Sequence, residues 1–404
     1  MRILIISQYF WPESFRINDL VLGMKERGHQ ITVLTGKPNY PEGKFYPGYN
    51  FFGKIYEEWN GINIHRVPVF SRGKGGGLRL FLNYMSFAFF ASFRVLWLKK
   101  NYDTIFVYEP SPITVGIPAV ILCKLYQKPF HFWVQDLWPA SITAVSGIKF
   151  GIIINFFDWL TRIIYNCSST VLVQSKAFIP YIIEQGIEKS KIQYFPNSTE
   201  PFERFSYPKK LTEFNIPKGF NLLFAGNIGN AQSFETLLKA AKILKDRGEK
   251  INWIILGDGR MKEEVTKQIE FLNLNDCFFL LGRFPVFEMP AFYASADALL
   301  LSLKRDEIFA YTIPSKLQSY LAFGKPIIGS LDGEGARIIE EAKAGFVSPA
   351  ENPLALAENV LIAINTDKKT MKSMSVNAIS YFKSEFEREK LLSKLENILF
   401  NNSK

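Results

Sequence analysis

Short apolar runs alternate with stretches of helical period along the whole chain, and that alternation restricts the fold to parallel α/β layers. In the first half the predicted strands are Ile3–Ile6, Ile31–Thr35, Thr104–Tyr108, Pro129–Val134 and Thr170–Val173. A hairpin turning at Asn60-Gly61 fits between the second and third. The second half repeats the scheme with Leu222–Ala225, Trp253–Leu256, Phe278–Leu281, Ala298–Leu301 and Pro326–Gly329. Helices are predicted between them, for example Phe234–Leu244 and Pro314–Phe323. Four prolines in Pro196–Pro217 mark a connection between halves. The expected architecture is α/β, with two doubly wound, Rossmann-like domains facing each other across a cleft. The expected boundaries are 1–200, 201–375 and a C-terminal helix over 376–404, free to pack back on the N-terminal domain.

The 404 residues are 48% hydrophobic and 21% charged, enough for a large core and incompatible with disorder as the main state. Three cysteines without short spacing and three histidines exclude a disulfide scaffold, a cysteine zinc site and a histidine-rich metal centre. No GxGxxG follows the first strand, no GxxxxGK[ST] occurs, and there is no Asp-x-Asp. A diphosphate site without metal must then rely on Lys, Arg and helix N-termini. Residues 1–200 hold 21 basic and 13 acidic side chains, and residues 201–404 hold 27 and 25, so an anionic partner should meet the first half. The start MRILIISQYF lacks a cleavable leader, and no run of 18 apolar residues exists. The expectation is a cytoplasmic chain in which nothing spans a membrane.

Thr312 and Pro314 are helix-start signals, and Gly324 with Pro326 marks the stop, which places Lys316 in a first helical turn. The macrodipole disfavours a cation there, whereas a bound anion reverses the sign. The competing reading is a lysine reaching into solvent. Glycine-rich turns follow three predicted strands, at Gly226 and Gly229, Gly257 and Gly259, and Gly333 and Gly335. Glycines there permit close approach to a ligand, although ordinary strand-to-helix turns favour them too. Asp136 closes a strand and is either a site residue or a turn former. Glu13 is either a base or a helix-start acid, and His131 reads as a core residue within an apolar strand.

The segments FAGNIG, ILGDGR, LLGRFP, YASADALLLSL, IPSKLQSYLAFGKPIIGS and AGFVSP occur in this order, after QYFWPE, WVQDLWP, VLVQS and YFPNS. Together they resemble glycosyltransferase family 4 over nearly the whole chain. The resemblance is nearest to the bacterial O-antigen and capsule branch that includes N-acetyl-L-fucosaminyltransferases. It implies a GT-B fold and retaining, metal-independent transfer without a cofactor. The donor it implies is a nucleotide-sugar, with the UDP form favoured, bound in the C-terminal domain. The acceptor it implies is a polyprenyl-linked sugar, met by a protein peripheral on the cytoplasmic face of the inner membrane.

By motif, the catalytic candidates are Asp136, Lys316 and Glu13, and the acceptor candidates are Arg16, Asn39 and Tyr40. Donor candidates are Gly226, Asn227 and Gln232, then Gly257, Asp258 and Gly259, then Arg283 and Phe284, and finally Thr312, Pro314, Ser315 and Ser319. Asn227 and Gln232 stand where relatives carry cations, and Tyr311 and Ser319 stand where they carry a glutamate pair. Lys316 and Arg283 are thus the expected diphosphate counter-charges. Two other readings are a degenerate GT-B protein that binds a membrane surface and a sugar-nucleotide epimerase. Nucleic acid is not an expected partner, for lack of a reader motif.

Between Gly61 and Asn101 lie seven basic residues (Arg66, Arg72, Lys74, Arg79, Arg94, Lys99, Lys100) and no acidic one. They surround an aromatic-rich helix, LRLFLNYMSFAFFASFRVLWL, expected to be too short in its core to span. The one-sided charge predicts docking to an anionic membrane surface.

Overall fold

The computed structural model of the protein describes residues 1–73, 76–140, 151–199 and 217–401. It divides into two units, Met1–Asn197 together with the chain from Glu389 onward, and Ser198–Arg388.

The first unit is built on strands β1 (Arg2–Ser7), β2 (Gln30–Gly36), β3 (Tyr56–Trp59), β4 (Ile62–Val67), β5 (Thr104–Glu109), β6 (Phe130–Val134), β7 (Thr170–Val173) and β8 (Ile192–Tyr194). Their order is β3-β4-β2-β1-β5-β6-β7-β8. Every neighbouring pair is parallel except β3 and β4, the expected hairpin, where Asn60 and Gly61 both have positive φ. The register sets Ile5 between Val33 and Phe106, so the central strands are apolar on both faces. Helices α1 (Arg16–Glu26), α2 (Gly77–Trp97), α3 (Ile117–Tyr126), α4 (Gly151–Cys167) and α5 (Phe178–Glu184) belong to this unit.

The second unit holds β9 (Phe220–Ala225), β10 (Ile251–Leu256), β11 (Phe278–Gly282), β12 (Ala298–Ser302), β13 (Ile327–Ser330) and β14 (Gly345–Ser348), in the all-parallel order β11-β10-β9-β12-β13-β14. Its helices are α6 (Phe234–Asp246), α7 (Lys262–Phe271), α8 (Met289–Ser295), α9 (Glu307–Tyr311), α10 (Ser315–Phe323), α11 (Glu334–Glu341), α12 (Pro353–Asn365) and α13 (Lys368–Glu385). In each sheet the chain first builds outward to one side and then resumes on the other. The winding reverses between β1 and β5 and between β9 and β12. Crevices beyond the carboxyl ends of strands at such reversals are where this architecture takes ligands.

The chain end departs from the expected division. Residue 376 falls inside α13, which stays with the second unit, and a separate helix α14 (Arg388–Asn401) returns to the first. Leu391, Leu392, Leu395, Ile398 and Leu399 of α14 complete a core with Ile17, Leu20 and Val21 of α1 and with Ile3, Ile5, Phe106 and Trp133 of the sheet. Polar contacts fix the helix. Arg27 bonds Glu389 at 2.9 Å and Glu396 at 2.6 Å, and His29 Nε2 lies 2.8 Å from Glu396.

Helix α2 departs from expectation as well. It runs 21 residues with a mean hydropathy of 1.3 over its best window, long and apolar enough to cross a membrane by length and composition. One face (Asn83, Ser86, Phe87, Ala88, Ala91, Val95) is buried, and the helix packs against α3, β2 and β4. Strands β8 and β14 were not anticipated, because three- and four-residue runs with Gln, Gly or Ser carry too little apolar pattern.

Leu395 is 1% exposed, so Leu395→Ala should cost about 2–5 kcal/mol. Urea unfolding followed by fluorescence of Trp133 in the first unit would report an earlier transition, while a probe in the second unit should not move.

Candidate active site

The second unit gathers its candidate residues at the carboxyl ends of β9, β10 and β11. A cavity of about 360 Å³ opens there, lined by Gly226 and Asn227 after β9, Gly257 and Asp258 after β10, and Arg283 and Phe284 after β11. Val286, Met289 and Tyr293 form its apolar wall. Phe284 is held by the Phe292 ring, 4.5 Å between centroids. Arg283 is exposed.

A second cavity, about 190 Å³, lies at the start of α10 and is lined by Gln232, Leu301, Leu303, Phe309, Thr312, Pro314, Ser315 and Lys316. Lys316 lines this cavity, and its side chain runs beside Gly226, which lines the first. It is the second residue of α10, whose N-terminus has no side-chain cap and no acid in its first turn. Its Nζ stands 3.8 Å from the centre of the Phe224 ring, a cation–π contact. No carboxylate pairs with it among the described residues, and burial pushes its pKa down to about 7. A Cβ on Gly226 would come within 2.2 Å of Lys316 Cε, so only glycine leaves room for this side chain. The N–H of Ala225 donates to Tyr320 Oη at 3.0 Å, which anchors α10 one turn beyond Lys316 to the end of β9. An uncapped helix N-terminus and an ammonium without a counter-ion point at one spot, a combination suited to an anion.

In the first unit, Glu13 is 1% exposed. Its Oε1 accepts the N–H groups of Asn39 (2.7 Å) and Tyr40 (2.8 Å), and its Oε2 accepts that of Phe10 (3.3 Å). Burial pushes its pKa up to about 7 against these bonds. Asn39 is buried and turned inward, its Oδ1 accepting from the N–H of Arg72 at 3.0 Å. Tyr40 keeps a partly exposed ring beside Phe15 (5.1 Å) and the Arg72 guanidinium (5.1 Å). Arg16 opens α1, and its charge reaches Tyr108. Asp136 follows β6 and is half-buried, with its pKa pushed up to about 7 by desolvation. Its backbone N–H points at the fully buried Glu109, which ends β5.

With this geometry in hand, comparison with known proteins is direct. The family described as Glycosyl transferases group 1 matches residues 208–381, and the Glycosyl transferase 4-like domain matches residues 14–198. The chain belongs to the glycosyltransferases of this two-domain family. WcaI of Escherichia coli (strain K12), named for glycosyl transfer in colanic acid biosynthesis, is 25% identical over 344 residues, which are 80% of this chain and 82% of WcaI. The Campylobacter jejuni GalNAc-alpha-(1->4)-GalNAc-alpha-(1->3)-diNAcBac-PP-undecaprenol alpha-1,4-N-acetyl-D-galactosaminyltransferase is 27% identical over 280 residues, 64% of this chain and 72% of that protein. Anabaena HepE, solved in complex with UDP, superposes with a TM-score of 0.69 at 14% identity, covering 99% of this chain and all of HepE. Both units of the glycosyltransferase thus have the GT-B design of parallel α/β domains.

Several expected roles change in the folded glycosyltransferase. Glu13 is a brace between two loops: three backbone N–H groups occupy its oxygens, so it is not placed to act as a base. Asn39 is likewise inside the protein and cannot touch an acceptor, whereas Tyr40 and Arg16 remain partly open. Gly257 serves the loops themselves: a Cβ there would sit 1.8 Å from the carbonyl oxygen of Gly226. Thr312 Oγ1 donates to the Ile308 carbonyl at 2.9 Å, and Ser319 Oγ lies 3.4 Å from Thr199 Oγ1. Asn227 is exposed at the cavity mouth, and Gln232 keeps a buried Oε1 with no partner. His131 is a fully buried core residue, as read, with burial pushing its pKa down to about 4. Residues missed by the sequence reading are Tyr293 and Met289, Leu301, Leu303 and Phe309, and Glu109. An acid directly after an apolar strand was the available signal for Glu109.

Two outcomes are expected in titrations with UDP. Gly226→Ala should displace Lys316 and weaken binding by about tenfold or more, the value of one charge-assisted contact. Because Lys316 loses its proton near pH 7 when free and an anion raises its proton affinity, binding should take up a proton above that pH. Affinity should be full below pH 7 and fall by up to about tenfold per unit above it.

Proposed function

We propose that the protein is a retaining, metal-independent glycosyltransferase that moves a sugar from a UDP-sugar to a lipid-linked oligosaccharide during assembly of a bacterial surface polysaccharide. The observation that carries this reading is the buried ammonium of Lys316, which lines the smaller cavity and runs beside Gly226 of the larger. The larger, with Phe284, Met289 and Tyr293, suits a planar base and its ribose. Lys316 and the N-terminus of α10 suit the diphosphate. The smaller cavity then receives the sugar. Its walls of Leu301, Leu303, Phe309 and Pro314 favour a sugar with methyl groups, a 6-deoxy or N-acetyl hexose of the N-acetyl-L-fucosamine kind. The lipid-linked acceptor is supported by the Campylobacter relative, whose own acceptor is undecaprenol-linked.

In the transfer step the acceptor hydroxyl oxygen forms a bond to the anomeric carbon on the face from which the diphosphate departs. The bond from that carbon to the phosphate oxygen breaks, UDP takes the electron pair, and the hydroxyl proton passes to a β-phosphate oxygen. The charge growing on the leaving group meets the Lys316 ammonium, which no carboxylate among the described residues competes for. Asp136, in the first unit, orients a hydroxyl of the acceptor in this scheme.

Membrane docking forms part of the same proposal, with a changed physical basis. Arg66 is buried and paired with Glu57, Arg72 donates to Tyr9 Oη at 2.6 Å, Arg94 lies 3.0 Å from His65 Nδ1, and Lys100 donates to the Leu96 carbonyl at 2.8 Å. Of the seven expected docking cations, Arg79 and Lys99 are exposed, and Lys74 lies outside the described residues. The free face of α2 instead carries Leu78 (74% exposed), Phe81, Phe89, Phe93 and Trp97 (80%). An apolar stripe of this kind lies in a membrane interface with its few cations at the lipid head groups.

Lys316→Ala should lower both turnover and donor binding by about ten- to a hundredfold, with a charge-assisted phosphate contact worth about 1.5–3 kcal/mol. Donor hydrolysis assays with a panel of UDP-sugars test this, and unchanged kinetics in a folded variant would remove Lys316 from the site. Phe93→Ser with Trp97→Ser should reduce co-sedimentation with phosphatidylglycerol vesicles and transfer to a lipid-linked acceptor, while donor hydrolysis persists. Equal sedimentation of variant and wild type would refute docking through α2.

A further inference from the structure

Among the described residues, the first unit contains a second carboxyl group beside Asp136 that the proposed transfer step does not use. Glu109 is the last residue of β5, the strand at the reversal of the sheet, and is 0% exposed. Its neighbour in register is Val134, the last residue of β6, so Glu109 and Asp136 emerge from adjacent strand ends. Glu109 Oε2 faces the backbone N–H groups of Gln135 at 3.4 Å and Asp136 at 3.5 Å. Glu109 Oε1 is buried without any hydrogen-bond partner, as are Gln135 Nε2 and Trp138 Nε1 nearby in sequence. No ion pair reaches either carboxyl among the described residues.

An ionised carboxylate in this position is costly. It would have an oxygen withdrawn from water, two long N–H contacts, a like charge next to it and no cation. A neutral acid removes the uncompensated charge: Oε2 remains the acceptor for the Asp136 N–H, and the proton resides on Oε1. The groups that sense Glu109 come from several elements. Asp136 is on the loop after β6, Tyr108 is on β5, and Tyr165 is on α4 with Tyr181 of α5 beside it. Arg16 of α1 acts on Tyr108, and its charge does not offset those of the two acids.

We propose that Glu109 is a positioning residue for Asp136: it stays a neutral acid, holds the Asp136 backbone N–H through Oε2, and confines ionisation at this strand end to Asp136 alone. The proposal rests on the reading of Asp136 as a site residue. Burial and the Asp136 charge both raise the proton affinity of Glu109, and burial alone brings Asp136 to about 7. The two acids therefore lose their protons in separate steps.

The test combines infrared difference spectroscopy of the full-length protein with pH–rate profiles. Wild type should show the carbonyl stretch of a protonated carboxylic acid at pH 8, where Asp136 is mostly ionised. Glu109→Gln should abolish that band. Asp136→Asn should keep it and move its loss to lower pH, because the like charge is gone. In the kcat profile at saturating donor, where bound diphosphate keeps Lys316 protonated, Glu109→Gln, a neutral mimic, should leave the midpoint of the acid limb in place and remove the alkaline limb. Glu109→Ala should lower kcat by up to about tenfold, since the Asp136 N–H loses its acceptor while the Gln135 N–H keeps the main-chain carbonyl of residue 109 at 3.1 Å. A band that survives Glu109→Gln, or an acid limb displaced by a unit or more in that variant, would overturn the proposal by showing Glu109 ionised. Failure of the Asp136 reading has a different signature: full activity in Asp136→Asn, with the infrared band still assigned to Glu109. Should Glu109→Gln not fold, the pH at which the band disappears in Asp136→Asn decides the question by itself. An unmoved value means the two acids are not coupled.

Discussion

An ammonium group set largely apart from water, with no carboxylate paired to it among the described residues, is the constraint on which the second unit depends. Lys316 is tolerated there because an aromatic face at 3.8 Å supplies part of what water would. Its path is open only because residue 226 has no side chain. The interlock of the loops after β9 and β10 keeps that path in place: Gly226 N–H donates to the Leu256 carbonyl at 2.8 Å, and Ile228 N–H to the Asp258 carbonyl at 2.9 Å. Below about pH 7 the site therefore holds unsatisfied positive charge before any ligand arrives, and above it an arriving anion draws the proton back. Such preorganisation is what a leaving diphosphate requires, since no protein group must turn at the moment of reaction.

Buried carboxyl groups in the first unit show two solutions to the same problem. Glu13 receives three backbone N–H groups and ties the loops after β1 and β2 together. Glu109 receives two long ones and keeps an oxygen without a partner. The difference lies in what surrounds each. The loops around Glu13 bring Arg66 within electrostatic reach, whereas the charge that acts on Glu109 among the described residues is the negative one of Asp136.

Much of the fold was legible because buried parallel strands are continuous apolar runs that stand out from any polar turn. The helix carrying Lys316 was legible too, from Thr312 and Pro314 before it and Gly324 after it. Legibility failed where a role depends on partners distant in sequence. Arg66 reads as a free cation until the β3–β4 hairpin supplies Glu57. Glu13 reads as a free acid until residues 39 and 40 fold over it. The glycines of ILGDGR read as ligand-facing, yet Gly257 is there to let two backbones meet. Strand β5 was ended at Tyr108, one residue early, and that single position concealed Glu109.

The return of α14 to the first unit has a consequence for how the chain comes off the ribosome. Residues 198–388 are all synthesised before the last piece of the first unit, so the unit begun first is completed second. Until Leu391, Leu392 and Leu395 emerge, the apolar faces of α1 and of the β5–β6 strands around Phe106 and Trp133 lack their cover. A nascent chain in that state presents a sticky groove for as long as translation of the second unit takes, many seconds at about 5–20 residues per second. Chaperone demand should therefore concentrate on the half of the protein that is made earliest.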